Sequence, residues 1–131
     1  MIDEGLAEAI RSTLVEGRLP CDEAFRIAKE QGVPPAKVGR AADELEIRVS
    51  RCQLGLFGYG PKEEGKHRIV EPLPAVPPRL SEEIRTRLQE GRLPCATAWL
   101  VAKRLGMSKL EVSGAAEALG IRVCCCQLGC F

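Results

Sequence analysis

The sequence predicts a mainly α-helical fold with small β content, built twice, on three observations. Residues Leu6 to Phe57 and Leu80 to Phe131 align without a gap at an offset of 74, and 27 of the 52 aligned pairs are identical. Aromatic residues make up 4% of a chain that is 45% apolar, so the cores must be assembled from Leu, Ile, Val and Ala. At the start of each half, apolar residues recur at i, i+4 and i+8, the stripe of an amphipathic helix. A period this long is a duplicated small domain rather than a solenoid unit. Positions that agree between the halves are therefore candidates for the fold, and positions that differ are surface or mark a division of roles.

The expected organisation is a first unit at 1–57, a connecting stretch at 58–79 and a second unit at 80–131. Units of about 50 residues are marginal alone and need close packing or a partner. The 131-residue chain carries 19 basic and 18 acidic side chains, a net charge of +1, which excludes the strongly basic balance of a sequence-indifferent nucleic-acid binder. Any nucleic-acid contact must then come from local clusters. No run of 18 apolar residues is present, so no membrane span is expected. Seven cysteines behind an acidic N-terminus with no export signal read as cytoplasmic thiols.

Each half opens with a helix, through Leu6, Ile10 and Leu14 or Leu80, Ile84 and Leu88. Ser81 before Glu82 and Glu83 suits a capped start with acids in the first turn. Gly17 and Gly91 are expected to end these helices. Leu-Pro-Cys then runs extended, because the residue before proline avoids helix. Asp22 or Cys21 in the first half, and Thr97 in the second, are candidate caps for the next helix. Two helices joined by a tight turn follow. Ala28 and Ala102 are the small residues at the crossing, and Gly32 and Gly106, four residues later, turn the chain with positive φ. Val38, Ala41, Ala42 and Leu45 recur as Val112, Ala115, Ala116 and Leu119 on the buried face of the second helix of each pair. Ile47-Arg48-Val49 and Ile121-Arg122-Val123 alternate as a short half-buried strand does.

This order resembles the winged helix-turn-helix domain, with three helices plus a short strand or wing in each half. The resemblance covers about 50 residues per half, and it weakens at the wings. The second half stops at Phe131, five residues after Cys126, leaving at most a stunted wing. In the first half, residues 58–70 read either as a wing, tipped by Lys62, Lys66, His67 and Arg68 with Ile69-Val70 returning, or as linker. Residues 71–79, with four prolines, are linker on both readings, extended and stiff enough to hold the halves apart.

The resemblance implies that the second helix of each pair enters the major groove of double-stranded DNA. Its exposed positions are then Pro35, Lys37, Gly39, Arg40 and Asp43 in the first half, and Lys109, Glu111, Ser113 and Glu117 in the second. Lys37 and Arg40 suit phosphate or guanine edges. Arg48 and Arg122, which recur beside that helix, are candidate phosphate contacts, as are Lys62, Lys66 and Arg68. The expected role is a DNA-binding transcriptional regulator of bacterial style. The chain would be either a monomer whose two units supply neighbouring half-sites or a homodimer. Protein–protein interaction through tandem winged-helix domains is the alternative, and the near-neutral charge fits it.

Cys21 and Cys95, and Cys52 and Cys126, recur at matching positions and read as packing residues. Cys124, Cys125 and Cys130 belong to the second half alone. Cys124, Cys126 and Cys130 are therefore candidates for a metal, iron–sulfur or redox-responsive centre, although adjacent strand residues face opposite ways. No cofactor is otherwise expected. No phosphate loop or nucleophile–histidine pattern is present, and no enzyme is predicted.

Overall fold

The computed structural model describes residues 3–131 and shows a mainly helical molecule with two short parallel strand pairs. The first half contains α1 (Glu4–Arg11), β1 (Leu19–Pro20), α2 (Cys21–Gln31), α3 (Pro35–Glu44) and β2 (Val49–Ser50). The second repeats the series as α4 (Pro78–Thr86), β3 (Leu93–Pro94), α5 (Cys95–Leu105), α6 (Lys109–Ala118) and β4 (Val123–Cys124). In each half the three helices pack on one another, and the second strand pairs parallel to the first.

Local chemistry explains most boundaries. The Asp3 side chain accepts the Leu6 N–H at 3.1 Å and caps α1. Gly32 and Gly106 end α2 and α5 with φ of 66° and 65°, where glycine loses nothing to steric clash. Ser108 and Glu111 form a reciprocal capping box on α6, satisfying two N–H groups that the helix cannot. Pro78, whose fixed φ suits a first helical position, starts α4 three residues before Ser81, so Ser81 is not its cap. The caps expected for α2 and α5 also move, because the residues that precede these helices are Pro20 and Pro94. Gly17 and Gly91 do not end helices either. With Glu16 and Glu90 they form two-residue turns in which both φ are positive, 52° and 77° in each. Val15 bonds Arg18 across one turn and Gln89 bonds Arg92 across the other, the geometry of the tight turn that twists with its flanking chain.

The chain beyond each second strand does not return as a hairpin. Ile69 and Val70 form no strand; their N–H groups instead reach the Gly55 carbonyl at 2.9 and 3.1 Å. A short 3-10 turn at Lys62–Glu64 occupies the bend. The wing expected in the first half is thus an irregular loop folded back on its own stem.

The halves are interlocked. Leu54, from the end of the first half, is fully buried in the core made by Leu80, Ile84, Leu93, Val101 and Val112. Its counterpart Leu128 is buried among Leu6, Ile10, Leu19, Ile27 and Val38. Each half thus completes the other's core. Equivalent residues also meet across the resulting pseudo-two-fold axis: Phe25 lies 4.2 Å from Trp99 between ring centroids, and Phe57 meets Phe131 edge-on at 6.2 Å. Residues 71–79, expected to hold the halves apart, lie on the second half instead. Leu73 N–H donates to the Gly114 carbonyl at 3.1 Å, and Leu73 and Val76 pack against that core.

Removing a buried leucine side chain costs about 2–5 kcal/mol, and the exchange dictates where the loss appears. Leu128→Ala is expected to destabilise the protein by that amount in chemical denaturation. Its amide protection should fall first at Ile27 and Val38 in the first half, not at Val101 and Val112. Loss confined to the second half would contradict the exchange.

Candidate functional site

The two equivalent helices α3 and α6 present different faces. Val38, Ala41 and Ala42 on α3, and Val112, Ala115 and Ala116 on α6, turn inward. One position round the helix, Gly39 and its counterpart Ser113 are also buried, Ser113 at 1% exposure. A side chain at Gly39 would collide with the Leu128 carbonyl oxygen. The exchanged tail therefore crosses α3 at Gly39, and neither Gly39 nor Ser113 is open to a ligand. Ser113 Oγ finds no hydrogen-bond partner among the described residues.

A third position separates the halves. At Gly114 a Cβ would lie 2.7 Å from the Glu71 carbonyl oxygen and 3.2 Å from Leu73, because the segment after the first half straps across α6. Arg68, on the same segment, pairs with Glu117. The residue of α3 equivalent to Gly114 is Arg40, which is exposed. At this place on α3 the exposed Arg40 side chain stands where the strap lies on α6.

The expected DNA contacts therefore divide. Lys37 and Arg40 stand exposed on α3, with no ion pair among the described residues. Arg48 and Lys62 come together along a hollow of about 700 Å³ beside the C-terminal end of α3, which Asp43, Glu46 and Cys130 also line. Arg18 joins them round an adjoining hollow. Arg18 was not singled out in the sequence; its nearness to Arg48 comes from parallel pairing, with Leu19 N–H donating to the Arg48 carbonyl at 2.9 Å. Its recurrence as Arg92 was the available signal. The remaining candidates are otherwise engaged. Lys66 lies 3.8 Å from Glu64, Arg68 is paired, and Lys109 sits 4.4 Å over the Trp99 ring, an attraction of a cation to the electron-rich face. Arg122 is exposed beside Arg68 and Glu117.

The cysteines do not gather as the sequence suggested. Among the described residues no group of three or more Cys, His, Asp or Glu is placed to hold a metal ion. The neighbouring Cys125 thiol, with burial, pushes the Cys124 thiol up to about 11, whereas the thiol that acts on Cys126 is that of Cys130. The expected trio is split because the strand ends at Cys124 and Cys125 turns the chain with a positive φ of 61°, so the alternation that would set Cys124 and Cys126 on one face is broken. Cys21, Cys52 and Cys95 are buried, and burial pushes all three thiols up, Cys21 to about 12. Cys126 alone is pulled down, to about 6, chiefly by the hydrogen bond from Cys130 and by the N–H groups of residues 128–130, against an opposing contribution from burial.

Comparison with protein-family models, curated proteins and solved structures finds no match for this chain. No helix among the described residues is long and apolar enough to cross a membrane.

The seat at Gly114 is testable by importing the residue of the first half. Gly114→Arg is expected to displace residues 71–73 from α6, seen as faster hydrogen exchange of the Leu73 amide. Arg40→Ala, which keeps a good helix former at the equivalent place, should leave the exchange pattern of α3 unaltered.

Proposed function

We propose that the protein is a DNA-binding regulator built from tandem winged-helix-like units, and that only its first half reads DNA. The observation that carries this reading is the contrast between α3 and α6. The α6 face is strapped by residues 71–73 and its Glu117 is paired, whereas α3 leaves Lys37 and Arg40 bare. In this reading Lys37 and Arg40 approach base edges, where a bidentate arginine–guanine contact contributes about 1–3 kcal/mol of discrimination. Arg18, Arg48 and Lys62, clustered beside the helix, meet phosphates and set register. Asp43 and Glu46 line the same hollow as Arg48 and Lys62. The second half then supports the first through the exchanged core and contributes no half-site. A palindromic target would require two chains.

A protein partner is the second reading, favoured by Leu100 and Leu110, which stay 44% and 39% exposed around the hollow beside Trp99. The two readings separate cleanly in solution. Fluorescence anisotropy with a duplex at low salt is expected to show binding that weakens on a log–log plot with slope of roughly −3 to −4, the value for three or four neutralised phosphates. The double variant Lys37→Glu/Arg40→Glu should lose at least about tenfold in affinity, while Arg85→Glu on α4 should not. Absence of binding at low salt sinks the DNA reading.

A further inference from the structure

The C-terminal turn contains a pair of thiols for which the DNA face has no use. Gly129 N–H donates to the Cys126 carbonyl at 3.0 Å and Cys126 N–H to the Phe131 carbonyl at 3.1 Å, closing residues 126–131 on themselves. The first half closes an identical turn, with Gly55 N–H on the Cys52 carbonyl at 2.9 Å and Cys52 N–H on the Phe57 carbonyl at 3.2 Å. Between these turns the residues Cys, Gln, Leu, Gly and Phe are the same; the first has Leu56 where the second has Cys130. That one change puts a second cysteine into the same closed turn as Cys126. It also does so at the surface, since Cys130 is exposed and Cys126 half-buried, whereas Cys52 is sealed in the core.

We propose that Cys126 and Cys130 are a redox-active dithiol, oxidised by small disulfides to an intramolecular disulfide. The Cys126 thiolate attacks one sulfur of the small disulfide. The S–S bond breaks, a mixed disulfide forms on Cys126, and one small thiolate leaves and takes a proton from water. Cys130 then gives its proton to solvent and attacks the Cys126 sulfur, expelling the second small thiol. The net result is two protein thiols oxidised and one disulfide reduced to two thiols. Thiolate, not thiol, is the nucleophile, and Cys126 is the thiol of the chain drawn down, to about 6. The charge on Cys126 and their shared hydrogen bond hold the Cys130 proton. Both restraints end once Cys126 carries the mixed disulfide, which frees Cys130 for the second step.

The inference stands apart from the DNA reading. The full chain, incubated with oxidised glutathione, alkylated and peptide-mapped, is expected to yield one bridge, Cys126 to Cys130. The rate should rise about tenfold per pH unit below the Cys126 thiol's range and level off above it. Cys130→Leu restores the residue of the first-half turn, so the fold should hold; this variant is expected to stop at a mixed disulfide on Cys126. A bridge between other cysteines would overturn the assignment. So would modification of Cys126 no faster than of the exposed Cys125 in either protein.

Discussion

Everything in this molecule hangs on the reciprocal burial of Leu54 and Leu128. A unit of about 50 residues exposes too much surface for its volume to stand securely alone. Each half here has three short helices and a two-residue strand pair, and its core remains open where the chain leaves the second strand. The open place is filled by a leucine from the other half. Because the two contacts are equivalent, they generate a pseudo-two-fold axis, and the contacts between equivalent residues follow from it. Phe25 must meet Trp99, and Phe57 must meet Phe131. The arrangement is that of an isologous dimer with exchanged tails, fused into one chain.

The same exchange explains why the halves diverged. A tail that crosses α3 at Gly39 needs a small residue there, and Ser113 meets the same need on α6. The continuation of the first tail runs over α6 and settles on Gly114. The equivalent place on α3 carries no such strap among the described residues, and holds the exposed Arg40. Identical folds thus present one face already covered by the chain's own linker and one face free for a ligand. The asymmetry lies in the segment laid over α6 rather than in any difference between the cores.

Much of this was legible in the sequence, and the part that was not has a definite cause. Helix positions, the crossing alanines and the turn glycines Gly32 and Gly106 follow from periodicity and backbone sterics, which are local. The recurrence of Cys21 as Cys95 and of Cys52 as Cys126 marked packing residues. Yet an apolar Leu54 reads the same whichever core receives it, so its destination could not be seen. The same holds for Ser113, which a helical wheel places at the surface and the crossing tail then buries. Gly17 and Gly91 were misassigned as helix ends because a positive-φ turn and a helix terminus require the same residue. Arg18 escaped notice because its nearness to Arg48 depends on strand pairing, which is set by tertiary context. Lys109 and Arg68 were recognised as cations, but their partners Trp99 and Glu117 lie across contacts that no local pattern specifies.

The thiol turn joins these two themes. Its backbone bonds are those of the first-half turn, so its shape is dictated by the requirement to deliver a leucine into the opposite core. Delivering Leu128 also fixes where Cys126 and Cys130 sit: on the flank of α3, with Cys130 lining the hollow shared by Arg48 and Lys62. In the first half the same turn is roofed by the following segment, and a leucine at position 56 suits that cover. In the second half Cys130 is in contact with solvent, and a sulfur stands where the first half has a packing residue. An exposed position on an otherwise equivalent turn thus carries a sulfur where its covered counterpart carries a leucine, as the exposed Arg40 carries charge where Gly114 carries the strap.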